Sequence, residues 1–269
     1  MTVLAGLLAA LGLADIISGG LSGTPSTRPR ALSGIGIGCG LAGAWAWAVL
    51  DQVGPTLGWG GFVLIACSGW ILPRIGPRPP VRRLRLSMVM LGGSIAVGLL
   101  ASGQSTVSSV EIGHPWLVES PFRILNSHSL SELALGLGIL LFLSAPSNGV
   151  VRSVLRIAGT RVTGGEKRLR AGRYIGVIER FLIFGLAVSG QATAAALVVS
   201  AKSILRFPEL SRRAREEDKA EEEEDQGGAV ADENGDAEIV ADVDVITEYF
   251  LLGSLTSWLL ALAPVLLFA

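Results

Sequence analysis

Six ionisable residues sit in or beside long apolar stretches: Asp15, Glu179, Arg180, Lys202, Arg206 and Glu248. A charge in hydrocarbon costs at least a few kcal/mol unless it is paired or wetted, so each is a functional candidate by default. Glu179, Arg180 and Lys202 lie inside one stretch, residues 172–208, GRYIGVIERFLIFGLAVSGQATAAALVVSAKSILRFP. A turn at Ser189-Gly190-Gln191 makes this stretch a helical hairpin. Glu179 precedes the turn centre by as many residues as Lys202 follows it. At about 1.5 Å per residue both lie roughly 17 Å from the turn, and so at one depth. That spacing reads as a Glu179–Lys202 ion pair. Arg206, four residues past Lys202, falls on the same helix face. Arg180 points about a hundred degrees away from Glu179 and needs another partner.

Three chemistries fit these residues. Arg180, Lys202 and Arg206 balance Asp15, Glu179 and Glu248 if all point inward, and a neutral network of that kind locks helices together. If Asp15 or Glu248 faces elsewhere, the site is net positive. Lys202 and Arg206 then dock an anionic solute or a lipid phosphate through charge-assisted hydrogen bonds, and Glu179 couples a proton. The third chemistry is an intramembrane lipid-modifying enzyme, with Glu179 as general base and Arg180 and Lys202 as a phosphate clamp. No metal motif, nucleophile motif or redox pair accompanies it, and no cofactor is expected.

The elements that must position these residues are transmembrane helices. Half of the 269 residues are hydrophobic, and long apolar runs alternate with short charged ones. The pattern predicts an all-α, polytopic bundle of about eight spans: 2–18, 31–50, 56–72, 84–101, 130–145, 174–188, 192–207 and 246–268. Spans one to seven form a bundle over residues 1–208. The first span lacks the basic region of a signal peptide and reads as a retained helix. Asp15, far along it, is either a helix-end residue at the interface or a partner for Arg180. In span two the glycines form small-xxx-small pairs such as Gly36/Gly40, which let another helix approach closely. Trp45 and Trp47 fall where an aromatic belt is expected. Spans six and seven are short, which predicts thinning, tilt or water access at their charged end.

Between the spans lie segments of different character. Residues 74–85 are basic and Pro-rich, an orientation signal rather than a nucleic-acid site. Residues 146–173 hold an amphipathic helix, SNGVVRSVLRIAG, capped by Ser147 or Asn148 and lying on the membrane surface, followed by a basic loop. That loop lacks phosphate-loop spacing; it reads as a solvated positive-inside loop, with lipid headgroups as the alternative contact. Sixteen of the 23 acidic residues lie between Glu209 and Glu248. Residues 209–244 therefore read as a soluble helix fraying into a disordered acidic linker, able to capture a basic cytoplasmic partner. His114 and His128, with Glu111 and Glu119, share the longest loop, but their spacing matches no metal-ligand pattern. Cys39 and Cys67 fall in different spans and read as free, buried thiols. Span eight begins at Glu248 and Tyr249 and has a small packing face at Gly253/Ser257.

Charge sets the orientation. The loops after spans one, three, five and seven, with adjoining span ends, hold every Lys and Arg except Arg123 and Arg180. The positive-inside rule then places both termini outside the plasma membrane and the acidic linker in the cytoplasm. All six candidate residues fall in the cytoplasmic half, beside anionic lipid headgroups.

The C-terminal half also resembles a bacterial, actinobacterial-type family of multi-pass membrane proteins whose activity is not known. The matching stretches are GRYIGVIER (172–180), GQ (190–191), AKSILRFPEL (201–210) and EYFLLGSLTSW (248–258), with PSNGVVRSVL before them. Some members carry a first helix with both a His and an Asp; here Asp15 matches the Asp and the His is absent. The resemblance implies no activity. It implies that Glu179, Arg180, Lys202, Arg206 and Glu248 belong to one site.

Overall fold

Helix α1, Thr2–Ile17, is apolar on every side until Asp15, and a helix of that kind belongs in an interior. It is the axis of the bundle. Around it stand α2 (Arg28–Leu50), α3 (Val53–Ile71, continued by a 3-10 turn, Leu72–Arg74), α4 (Val81–Gln104), α5 (Leu130–Ser144) and α6 (Pro146–Ile157), all touching α1. Helix α7 (Ala171–Val188) packs on α5 and α6. Two more described helices, α8 (Ala192–Ala201) and α9 (Phe250–Leu267), follow. The structure, a computed structural model, describes residues 1–21, 27–50, 53–76, 79–104, 129–159, 171–201 and 250–268. Among them there is no strand.

Close backbone approach fixes how α1 sits. A Cβ on Gly38 would stand 2.8 Å from the Ala10 carbonyl oxygen, and one on Gly34 would strike the Ala14 carbonyl. The expected small-residue seam of α2 is therefore real but one face over. Gly34 and Gly38 meet α1, while Gly36 and Gly40 have nothing within 4 Å. Near the far end of α2, Trp45 donates to the Thr2 carbonyl at 3.0 Å, so α1 and α2 run antiparallel. On the other side, Cβ atoms on Gly12 and Gly138 would meet Leu141 at 2.6 Å and the Ala5 carbonyl at 2.7 Å. Helices α1 and α5 thus run parallel in near backbone contact. Ser102, at the end of α4, accepts from the Leu4 amide at 3.2 Å, satisfying a donor in the first turn of α1.

Local signals end and start the helices. Ser129 and Glu132 form a capping box at the start of α5, the S-x-x-E pattern of a helix N-terminus. At the end of α7, Gly190 has φ +76°, Gln191 N–H donates to the Leu186 carbonyl and Gly190 N–H to that of Ala187. This Schellman closure makes the turn between α7 and α8 where the hairpin reading put it.

The outer faces of α7 and α9 are apolar. On α7, Ile175, Ile178 and Leu182 are exposed, while Glu179 and Arg180 are buried. On α9, Leu251, Leu255, Leu259, Leu262 and Leu266 form an exposed stripe, and Ser254 and Ser257 face inward. An apolar exterior, with the polar groups of α7 and α9 turned inward, suits hydrocarbon. Among the described residues two helices, Val81–Gly103 and Phe250–Leu267, are long and apolar enough to cross a membrane. The pair Ser131–Ser144 and Pro146–Ile157, bent by 42°, makes a third if it is one span. Among the described residues the expected count of eight spans is not supported. Helices form at each expected position, but Thr2–Ile17 and Ala192–Ala201 are shorter apolar helices, and α5 is cut at Pro146.

Candidate functional site: a polar centre at a broken helix

The centre of the site is the break between α5 and α6. Pro146 has no N–H for the carbonyl four residues earlier and its ring clashes there, so the helix bends. The carbonyl left behind, that of Phe142, accepts from the Ser147 hydroxyl at 3.1 Å. The next carbonyl, that of Leu143, accepts from Arg180 Nε at 3.0 Å. Arg180 Nη1 donates to Ser257 Oγ on α9 at 3.2 Å, and Nη2 donates to Asn148 Oδ1. One guanidinium thus ties α5, α6, α7 and α9. It is only 2% exposed, and its three hydrogen-bond acceptors among the described residues are neutral oxygens. The last turn of α5 supplies the negative end of a helix dipole, which favours a cation there. Beside it, Glu179 accepts from Trp258 Nε1 at 2.9 Å, a second tie between α7 and α9.

A second guanidinium approaches the same α6 turn from the opposite side. Arg74, in the 3-10 turn after α3, donates to Asp15 Oδ1 at 3.2 Å. Its guanidinium carbon lies 4.0 Å from the centroid of the Trp70 ring, a cation–π stack. A Cβ on Gly149 would collide with Arg74 Nη2 and stand 2.9 Å from Trp70 Cζ2. Glycine is what lets α6 pass this close. Gly19 (φ +93°) turns the chain so that Gly20 N–H donates to the Asp15 carbonyl at 2.8 Å. The Gly20 carbonyl in turn accepts from Arg152 Nη2 at 3.2 Å, and Arg156 Nη2 reaches the Pro79 carbonyl at 2.9 Å. The ends of α1, α3 and α5 and the starts of α4 and α6 therefore meet at one end of the bundle.

These contacts amend the sequence reading. Asp15 lies in the last turn of α1, as the helix-end reading has it, and is a buried carboxylate bonded to Arg74; among the described residues it makes no bond to Arg180. Arg74 leaves the basic segment and turns inward, while Arg82, Arg83 and Arg85 are exposed. Asn148 does not cap α6; the N-cap is Ala145, without a side-chain bond, and Asn148 accepts from Arg180 instead. Helix α6 is amphipathic, but residues Pro146 to Val150 are buried and it touches α1, α4, α5 and α7, so its first turn belongs to the bundle. Gly253 does face α6, with its absent Cβ 3.6 Å from Leu155. Of the six candidates, Asp15, Glu179 and Arg180 fall in or beside this centre. Lys202, Arg206 and Glu248 lie outside the described residues, as do His114, His128 and the acidic linker. Among the described residues no His, Cys, Asp and Glu group could hold a metal. Cys39 and Cys67 are free thiols.

No sequence signal singles out Trp70, Arg74, Asn148, Ser257 or Trp258 as a site residue. One signal was present: Pro146 interrupts an apolar run that otherwise continues through α5, marking a helix break inside the bundle. No family model matches the chain, and no curated protein or solved structure is significantly similar to it.

Proposed function

We propose that the chain is a multi-pass plasma-membrane protein that binds, and passes across the bilayer, an anionic solute or a lipid headgroup at the α5–α6 break. The observation that carries this reading is Arg180, buried beside an interrupted helix within an apolar exterior. Discontinuous helices inside a membrane are tolerated where they are buried in protein or line a cavity, and they mark the binding sites of many transporters. A purely structural role is the less economical use of these groups, because apolar side chains of similar volume hold helices together as well or better. In this reading the Arg-rich end of the bundle faces the cytoplasm and both termini lie outside. On sequence alone, Lys202 and Arg206 are candidates to add positive charge there, and the positive-inside rule assigns the acidic linker to the cytoplasm.

A structural lock is the second reading. It is favoured by the neutrality of the described network, in which Asp15 is bonded to Arg74, Glu179 accepts from Trp258 and Arg180 is held by three oxygens. Native mass spectrometry of the protein purified from its host membrane, beside Lys202→Ala, separates the two. An anionic lipid or metabolite retained by the parent and lost in the variant is the expected result. No retained ligand in either, with lower stability in the variant, would leave the structural lock.

A further inference from the structure

Helices α2 and α4 open on arginines and then carry no charge. Arg28 and Arg30 begin α2, Arg82, Arg83 and Arg85 begin α4, and all five are exposed. Both helices start at one end of the bundle. A Cβ on Gly34 would strike Ala14 and Ser18, so α2 starts beside the end of α1. Ser87 Oγ, in the second turn of α4, donates to the Trp70 carbonyl at 2.8 Å, next to the Arg74–Asp15 pair that closes the same end. Arg156 Nη2, on the Pro79 carbonyl at 2.9 Å, brings a further exposed guanidinium to the start of α4.

The arginines of α4 stand on its outward side. Leu84, Ser87 and Leu91 are buried, while Leu86, Val89 and Met90 are exposed. Arg83 lies one turn before Leu86 and Arg85 one turn before Val89, so both top exposed apolar stripes. From Leu86 to Gly103 the helix has no charged residue. At about 1.5 Å per residue that stretch is roughly 27 Å long, close to a hydrocarbon core about 30 Å thick. With α4 across a bilayer, its arginines reach the level of the lipid phosphates. Side chains on a helix lean toward its N-terminus, which here leads the guanidinium groups away from hydrocarbon and into the headgroups.

Countercharge for them is missing among the described residues. Asp15 is bonded to Arg74, Glu132 caps α5 at the opposite end, and Glu179 lies at the break. Neither α2 nor α4 has an acid in its first turn. The positive pole of each helix disfavours the cations placed there, and an anion laid over them removes the conflict.

We infer that the start of α4, with Arg156 beside it, seats the phosphodiester headgroup of an anionic phospholipid whose acyl chains lie along Leu86 and Val89. The inference rests on the membrane placement proposed above and not on transport at the break. Guanidinium forks donate paired hydrogen bonds to phosphate oxygens, and a headgroup without a choline leaves that phosphate's charge unopposed. Arg28 and Arg30 meet the same leaflet from α2.

The test is native mass spectrometry of the full chain in detergent, with phosphatidylglycerol and phosphatidylcholine of matched acyl chains. The parent retains phosphatidylglycerol about tenfold better or more, and the combined change Arg82→Gln, Arg83→Gln and Arg85→Gln removes most of that preference. Glycerol 3-phosphate at equal concentration does not displace the lipid, because it brings no acyl chains to Leu86 and Val89. Full displacement would make this a site for free phosphate and overturn the lipid assignment. Equal retention of the two lipids by the parent overturns it too, and that comparison holds even where the variant fails to fold. Unchanged preference in a folded variant also overturns it. A preference that emerges only on deletion of residues 216–242 would give the arginines to the acidic segment instead, again against the proposal. If the chain leaves its host membrane only in detergent yet shows no preference, the lipid seat falls and the membrane placement stands. If it washes off without detergent, both fall.

Discussion

Arg74 and Arg180 reach the same turn of α6 and are held by opposite means. Arg74 keeps 14% of its side chain exposed, bonds a carboxylate and rests on an indole. Arg180 is almost fully buried and leans on a helix-end carbonyl, an amide oxygen and a hydroxyl. The first is a partly wetted ion pair at the rim of the bundle. The second is a cation solvated by fixed dipoles. Dipoles already aligned at a helix end do not have to reorganise, so they hold a charge where a flexible partner is out of reach. The difference implies that Arg180 is the fixed part of the centre and Arg74 the part that can give.

The comparison can be broken most forcefully at Arg180. Arg180→Ala leaves the Leu143 carbonyl, Asn148 and Ser257 each short of a donor and removes a tie between four helices. We expect a loss of about 3–5 kcal/mol in unfolding free energy in detergent. Arg180→Lys keeps the charge but not the fork, and recovers only part of it. A change below about 1 kcal/mol for Arg180→Ala would mean that the guanidinium does not hold the break.

A smaller effect is expected between the two arginines. Gly149→Ala places a methyl against Arg74 and Trp70, and overpacking of this kind costs about 1–3 kcal/mol. If Arg74 is the yielding member, its displacement relieves the clash, and combining Gly149→Ala with Arg74→Ala should cost less than the sum of the singles. Strict additivity would show that Arg74 does not occupy that position. The smallest effect is expected at the ion pair. In the Asp15→Asn and Arg74→Gln cycle the coupling should be about 1 kcal/mol, reduced by the partial exposure of Arg74. A coupling as large as the loss at Arg180 would erase the distinction between the two seats.

Much of the helical layout is legible in the sequence, because apolar runs and Gly or Pro breaks act locally. The turn at Gly190 and the inward-facing Ser257 follow from such signals. The pairings are less legible. Asp15 and Arg74 are far apart in the chain and meet only because α1 and α3 end together, which no spacing rule encodes. The choice of Gly34 and Gly38 over Gly36 and Gly40 depends on the rotation of α2, and α2 is apolar enough on all sides to leave that rotation open. Asn148 looks like a cap because its type and place are those of a cap; a buried arginine from another helix takes its oxygen instead. Among the six candidates, chain separation hid the partner of Asp15, whereas the turn at Gly190 that ends the helix carrying Glu179 and Arg180 followed from the hairpin signals.

The most direct test of the polar centre is an electron cryo-microscopy structure of the full chain in a lipid nanodisc. The account predicts a bend at Pro146 within the bilayer and Arg180 on the Leu143 carbonyl, joined to Asn148 and Ser257. A straight helix through Pro146, or Arg180 turned to lipid or solvent, would contradict it.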